Sequence, residues 1–173
     1  QIDAFTSRRF AGNPAAVLVL EHYLDDETLQ AIAAENNLAE TAFLVPENSD
    51  YHLRWFTPAV EVPLCGHATL ASAAVVMERL EPERQIVIFN SASGPLRVTR
   101  TDAGYILNFP SRPAEQVEKS VLLTQALGIE PSEIFVNVYN YLAVLESPKL
   151  LRELRPDMAT LLHVDRPGVI VTA

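Results

Sequence analysis

Between His67 and Glu78 the chain runs Ala-Thr-Leu-Ala-Ser-Ala-Ala-Val-Val-Met without one charged side chain. A helix that is apolar on every side has no face to offer water, so it belongs inside a protein. The segment His67–Leu80 is therefore read as a buried central helix. Its many small residues let strands pack close on several sides.

The flanking sequence supplies such strands. Ala15–Leu20 reads as a strand behind the Gly12-Asn13-Pro14 turn. Asp25 is a helix N-cap with Asp26 and Glu27 in the first turn, and Leu29, Ile32 and Ala33 at i, i+3, i+4 carry that helix to about Asn36 or Asn37. Ala42–Val45 and Tyr51–Thr57 follow as strands, the second with alternating polarity. Beyond the central helix, strands are expected at Ile86–Asn90, Leu96–Thr99 and Tyr105–Phe109, and Pro110–Pro113 as a linker. A helix over Ala114–Leu127 capped by Gly128 comes next, then strands at Phe135–Val138 and Leu142–Leu145. Short helices at Pro148–Leu154 and Asp157–His163 lead to a last strand at Gly168–Ala173. Many strands, few helices and one very apolar helix make the fold class mixed α+β, with a first domain over 1–110 and the opening part of a second over 111–173. The chain starts on Gln1 and stops on a β-branched strand, which reads as a piece of a longer protein.

Composition narrows the function. Lys plus Arg number 13 against 22 Asp plus Glu, a net charge of −9, which argues against a phosphate-backbone binder and hence against nucleic acid as a partner. No run approaches the ~18 apolar residues of a membrane span. One cysteine makes no internal disulfide, so a cytoplasmic location is expected. No zinc-type Cys/His spacing, phosphate loop, dinucleotide fingerprint or G-x-S-x-G elbow is present, so neither a metal nor a cofactor is expected.

Candidate chemistry gathers at Leu64-Cys65-Gly66-His67-Ala68-Thr69, where a Pro-broken loop enters the apolar helix. The first turn of a helix leaves N–H groups unpaired, and these with the helix dipole suit a substrate carboxylate. Gly66 allows close approach or an unusual backbone angle. The same position should lower the Cys65 pKa and favour thiolate, while His67 can exchange a proton near neutral pH. Glu40, between a helix and an apolar strand, is a candidate acid/base if partly desolvated. Each has a plainer reading: Cys65 as a packed small hydrophobe, His67 as a structural histidine, Glu40 as a solvated loop charge, Asn13 as a turn builder. A Cys-His nucleophilic hydrolase is disfavoured, because positions 65 and 67 at a helix entrance are poorly placed for a nucleophile–base hydrogen bond.

Asp3-Ala4-Phe5-Thr6, Gly12-Asn13-Pro14-Ala15-Ala16-Val17, Glu40-Thr41-Ala42-Phe43, Arg54-Trp55-Phe56-Thr57-Pro58 and Glu61-Val62-Pro63-Leu64-Cys65-Gly66-His67-Ala68-Thr69 occur in that order. Together they resemble the N-terminal half of the PhzF-like phenazine-biosynthesis family, which is related to diaminopimelate epimerase and proline racemase. The resemblance implies two similar domains, each a curved sheet wrapped around a central helix. It further implies cofactor-independent isomerisation or epimerisation of a small carboxylate-bearing metabolite, usually by a homodimer. Glu40 matches the glutamate that moves the proton, and Gly66-His67 match a pair that helps hold substrate. Asn13, Ala68 and Thr69 are assigned with Gly66 to substrate binding. Cys65 matches an acid/base cysteine of the epimerases and racemases, one the phenazine enzyme lacks. Nothing matches the Asp and the Gly-Ser or Gly-Asn loop of the family's second half. The alternative is a noncatalytic binding or interaction protein that keeps the fold.

Overall fold

The computed structural model describes residues 1–8 and 10–173. Two compact units are formed, Gln1–Phe109 and Pro110–Ala173. The first contains β1 (Ile2–Ala4), β2 (Asn13–Val19), α1 (Asp26–Asn36), β3 (Glu40–Glu47), β4 (Asp50–Phe56), β5 (Glu61–Val62), α2 (Gly66–Val75), β6 (Ile86–Asn90), β7 (Leu96–Thr101) and β8 (Gly104–Asn108). The strands form one sheet in the order β1-β2-β3-β4-β6-β7-β8, with β5 paired to β4. β2 lies parallel to β3 and β4 to β6. A parallel pair needs a long crossover, and α1 and α2 provide the two.

Alternation along β3 and β4 gives each helix its own face of the sheet. Ala42, Leu44, Leu53 and Trp55 point into the core around α2, where they meet Ala68, Ala71, Ala73, Val76 and Met77. Val87, Phe89, Leu96 and Val98 from β6 and β7 close on the same helix. Phe43 and Phe56, of opposite parity, pack with Leu29 and Ala33 of α1. Each large side chain fully buried in this way contributes roughly 1.5–3 kcal/mol, so the sheet curls around α2 because α2 is apolar on every side.

The expected central helix is thus present, with one difference. Its α-helical part ends at Val75 and Val76–Leu80 continues as a π-helix. The Glu81 N–H donates to the Val76 carbonyl at 2.7 Å, an i→i+5 bond. The widening begins just before Glu78 and Arg79 leave the core.

The second unit contains β9 (Glu115–Val117), α3 (Val121–Leu127), β10 (Glu133–Val136), β11 (Asn140–Val144), α4 (Pro148–Glu153), α5 (Met158–Leu161) and β12 (Gly168–Thr172). Its sheet runs β12-β11-β10-β9, and Leu123 and Leu127 of α3 pack on Ile134 and Ala143. The helix expected over 114–127 is corrected. Residues 115–117 pair with β10, and α3 starts only where the Ser120 hydroxyl accepts the Leu123 N–H. A serine cap stops the helix extending backward, and Gly128 closes it at φ 68° as expected. No helix of the described residues is long and apolar enough to cross a membrane.

Candidate functional site

Glu40 opens β3, where it stands beside Ala15 of β2 in the parallel register. It shares the parity of Ala42 and Leu44, so its carboxylate is carried to the α2 face. Thr41, of the other parity, faces α1 and accepts a hydrogen bond from the Asn36 side chain at 3.1 Å. That bond ties the end of α1 to the strand that carries Glu40.

α2 begins at Gly66, with Cys65 as its N-cap in an extended conformation and no side chain capping the first turn. The Thr69 hydroxyl donates to the Cys65 carbonyl at 2.5 Å, which fixes the turn from the far side. His67 then joins Cys65 to Glu40. Its Nδ1 lies 3.5 Å from Cys65 Sγ and its Nε2 lies 3.3 Å from Glu40 Oε2. One donor atom from each residue lies within 4.8 Å of the others. His67 is 9% exposed and the Glu40 side chain 20%.

The Glu40–His67 approach is close enough for an ion pair but is not aligned as a hydrogen bond. Glu40 Oε2 and His67 Nε2 are both buried without a hydrogen-bond partner. A buried polar atom left so costs roughly 1–3 kcal/mol, so each asks for an explanation such as a catalytic role, strain, an ordered water or a bound ion.

Two expectations about this segment are corrected. The Cys65 thiol is not activated: burial pushes its pKa up to about 12, and the Glu40 carboxylate pushes the same way. The N–H groups of Ala68 and His67 favour thiolate, as the helix-start argument expected, but desolvation outweighs them. Burial thus favours the neutral thiol at Cys65 over the thiolate. The spacing of 65 and 67 also proves compatible with contact, because the extended Cys65 and the first helical turn bring sulfur and imidazole together. Gly66, for its part, needs no left-handed backbone, and a Cβ there would meet the Phe109 ring at an ordinary 3.6 Å.

The remaining assignments fall around the trio. Asn13 is exposed at the start of β2 and shares the parity of Ala15, on the Glu40 side of the sheet. Ala68 and Thr69 have no exposed surface, so neither offers a ligand a side chain. Arg54 and His52 are engaged in structural contacts. Arg54 bonds Glu61 through two nitrogens at 2.7 Å and reaches Asp26 at 2.9 Å, and His52 Nδ1 meets the Tyr23 hydroxyl at 2.8 Å. Among the described residues, Glu40, Cys65 and His67 are the cluster with the donors to hold a metal ion.

The model of the PhzC-PhzF family, "Phenazine biosynthesis-like protein", matches residues 2–173. An uncharacterized isomerase of Pseudomonas aeruginosa is 48% identical over 173 residues, covering 100% of this chain and 66% of that protein. The crystal structure of a PhzF-family phenazine biosynthesis protein from Enterococcus faecalis superimposes with a TM-score of 0.86 at 42% identity, over 98% of this chain and 65% of that one. A probable proline racemase from Agrobacterium radiobacter is similar in fold, at a TM-score of 0.52 and 12% identity, over 73% of this chain and 42% of that one. The chain spans about two thirds of the length of the curated isomerases it matches.

Proposed function

The chain belongs to the phenazine biosynthesis-like (PhzC-PhzF) family, and on that footing we propose that it acts as an isomerase that moves a proton at carbon in a small carboxylate-bearing metabolite. Relatives named as isomerases support the reaction class. The observation that carries the residue roles is the trio itself: three proton-carrying side chains, largely buried, meet at a helix start that no side chain caps.

In this reading Glu40 removes a proton from a carbon made acidic by a neighbouring carboxyl or unsaturated group. The negative charge that develops is held by the Gly66 N–H at the positive end of α2 and by the His67 imidazole. His67 lies between Glu40 and Cys65, so a proton taken by one can be balanced at the other. Cys65, neutral because it is buried, donates rather than attacks. Asn13 orients the substrate at the rim. These steps use only protons and fixed dipoles, so no cofactor enters the proposal.

General acid/base groups contribute ~10²–10⁴-fold each. Incubating the protein in heavy water with a panel of small α-amino and α,β-unsaturated carboxylates should load deuterium onto carbon in at least one of them. Glu40→Gln should lower that uptake by about 10²–10⁴-fold. Undiminished uptake in Glu40→Gln contradicts the assignment. Binding of a panel member with no uptake would instead favour a noncatalytic binding protein.

A further inference from the structure

We propose that Glu40, Cys65 and His67 form a coordination site for a borderline-soft divalent cation such as Zn²⁺, one that competes with substrate for the start of α2. The competition rests on the proton-transfer reading of these residues; the binding does not.

The donor set is the first argument. One sulfur, one imidazole and one carboxylate are the ligand types that zinc takes, at about 2.3 Å for sulfur and about 2.0–2.2 Å for nitrogen and oxygen. Those bond lengths put tetrahedral donors roughly 3.3–3.6 Å apart. An ion takes one imidazole nitrogen, so either the Sγ–Nδ1 contact at 3.5 Å or the Nε2–Oε2 contact at 3.3 Å already has that spacing, and the third donor has to move in. All three donors lie within 4.8 Å of one another, so closing around an ion asks for a shift of about one ångström and a turn of the imidazole that commits one nitrogen. Three protein ligands leave a fourth position for water or a substrate carboxylate.

The unpaired atoms are the second, independent argument. His67 is nine-tenths buried, and its Nε2 faces Glu40 Oε2 with neither atom in a hydrogen bond. A cation would satisfy both at once. The partly exposed Glu40 side chain gives it a way in from solvent.

Binding replaces the Cys65 S–H bond with a metal–sulfur bond and releases one proton to solvent; no electron moves. Affinity should then fall about tenfold for each pH unit lowered, because the proton competes with the metal. Selectivity should follow ligand softness, with Zn²⁺ and Co²⁺ held and Mg²⁺ and Ca²⁺ ignored.

The test uses the whole chain, stripped with a chelator and titrated with Co²⁺ and with Zn²⁺ against a chromophoric competitor. Expected are one ion per chain, a near-ultraviolet thiolate-to-cobalt charge-transfer band, and displacement of that band by Zn²⁺. Cys65→Ser should abolish the band, and Glu40→Gln and His67→Gln should each weaken Zn²⁺ at least tenfold, with folding checked by circular dichroism. A wild-type protein that takes up Co²⁺ without the band overturns the site whether or not the variants fold. So does unchanged Zn²⁺ affinity in folded Cys65→Ser, which would place the ion on other histidines. No substrate enters the titration, so loss of this site leaves the isomerase reading standing, and an inactive protein that shows the band contradicts only the isomerase reading.

Discussion

The two helices of the first unit begin in opposite ways. α1 carries its own solution: the Asp25 carboxylate accepts the Thr28 N–H at 2.9 Å and the Thr28 hydroxyl at 2.8 Å, with Asp26 and Glu27 adding negative charge in the same turn. α2 has no acidic residue in its first turn and no side-chain cap, and its carboxylate arrives from β3 as Glu40. At α1 the N-terminal N–H groups and dipole are used up locally, in solvent, for stability. At α2 no side chain caps the first turn, and Cys65 and His67 at its start are buried.

That contrast can be broken by exchanging demands on the two ends. The largest expected effect is chemical: Glu40→Gln should slow carbon deuteration about 10²–10⁴-fold while the far-ultraviolet circular dichroism stays native. Next comes thiol reactivity. With its pKa pushed up to about 12, Cys65 in metal-free protein should be alkylated by iodoacetamide at pH 8 about 10³-fold more slowly than in the unfolded chain, whose thiol titrates near 8.5. The rate should rise tenfold per pH unit, because only thiolate reacts and its fraction grows that way below the pKa. Reactivity equal to that of a free thiol would mean that the helix start, not burial, sets the proton affinity.

Packing effects are smaller and separate the helices differently. Leu29→Ala in α1 empties a fully buried site and should cost about 2–5 kcal/mol, whereas Ala71→Leu in α2 overfills one and should cost about 1–3 kcal/mol. Denaturant titration reads both. The smallest effect belongs to the cap itself: Asp25→Ala should lower Tm by about 2–4 °C. The Thr28 N–H and hydroxyl hold the Asp25 carboxyl below its usual pKa. Its contribution is therefore full above the ordinary carboxylate range and fades as pH falls through the lowered value, so the Tm gap should close in strong acid.

The architecture around α2 was legible because its signals are local and repeated. A charge-free helix must be enclosed, and the alternation of Ala42, Phe43, Leu44 and of Leu53, Arg54, Trp55 already sorts side chains into two faces. Extended two residues back, the same parity assigns Glu40 to the α2 face, a signal the sequence holds and that spacing arguments overlook. The failures are tertiary. Desolvation of Cys65 depends on the sheet that covers it, so its pKa rises where the helix start alone said it should fall. The Cys65–His67 contact depends on the extended cap conformation. Residues 115–117 look helical by themselves and become a strand because β10 offers them a partner.

The most direct test sets the two helix starts against each other in one experiment, measuring carbon deuteration and Tm for wild type, Glu40→Gln and Asp25→Ala. The predicted result is a crossed pattern. Glu40→Gln loses exchange and keeps its Tm within about 2 °C, since it stays in the range of an ordinary polar substitution, while Asp25→Ala loses Tm and keeps exchange. Wild-type exchange in Glu40→Gln, or equal loss of exchange in Asp25→Ala, would contradict the assignment of chemistry to α2 and of stability to α1.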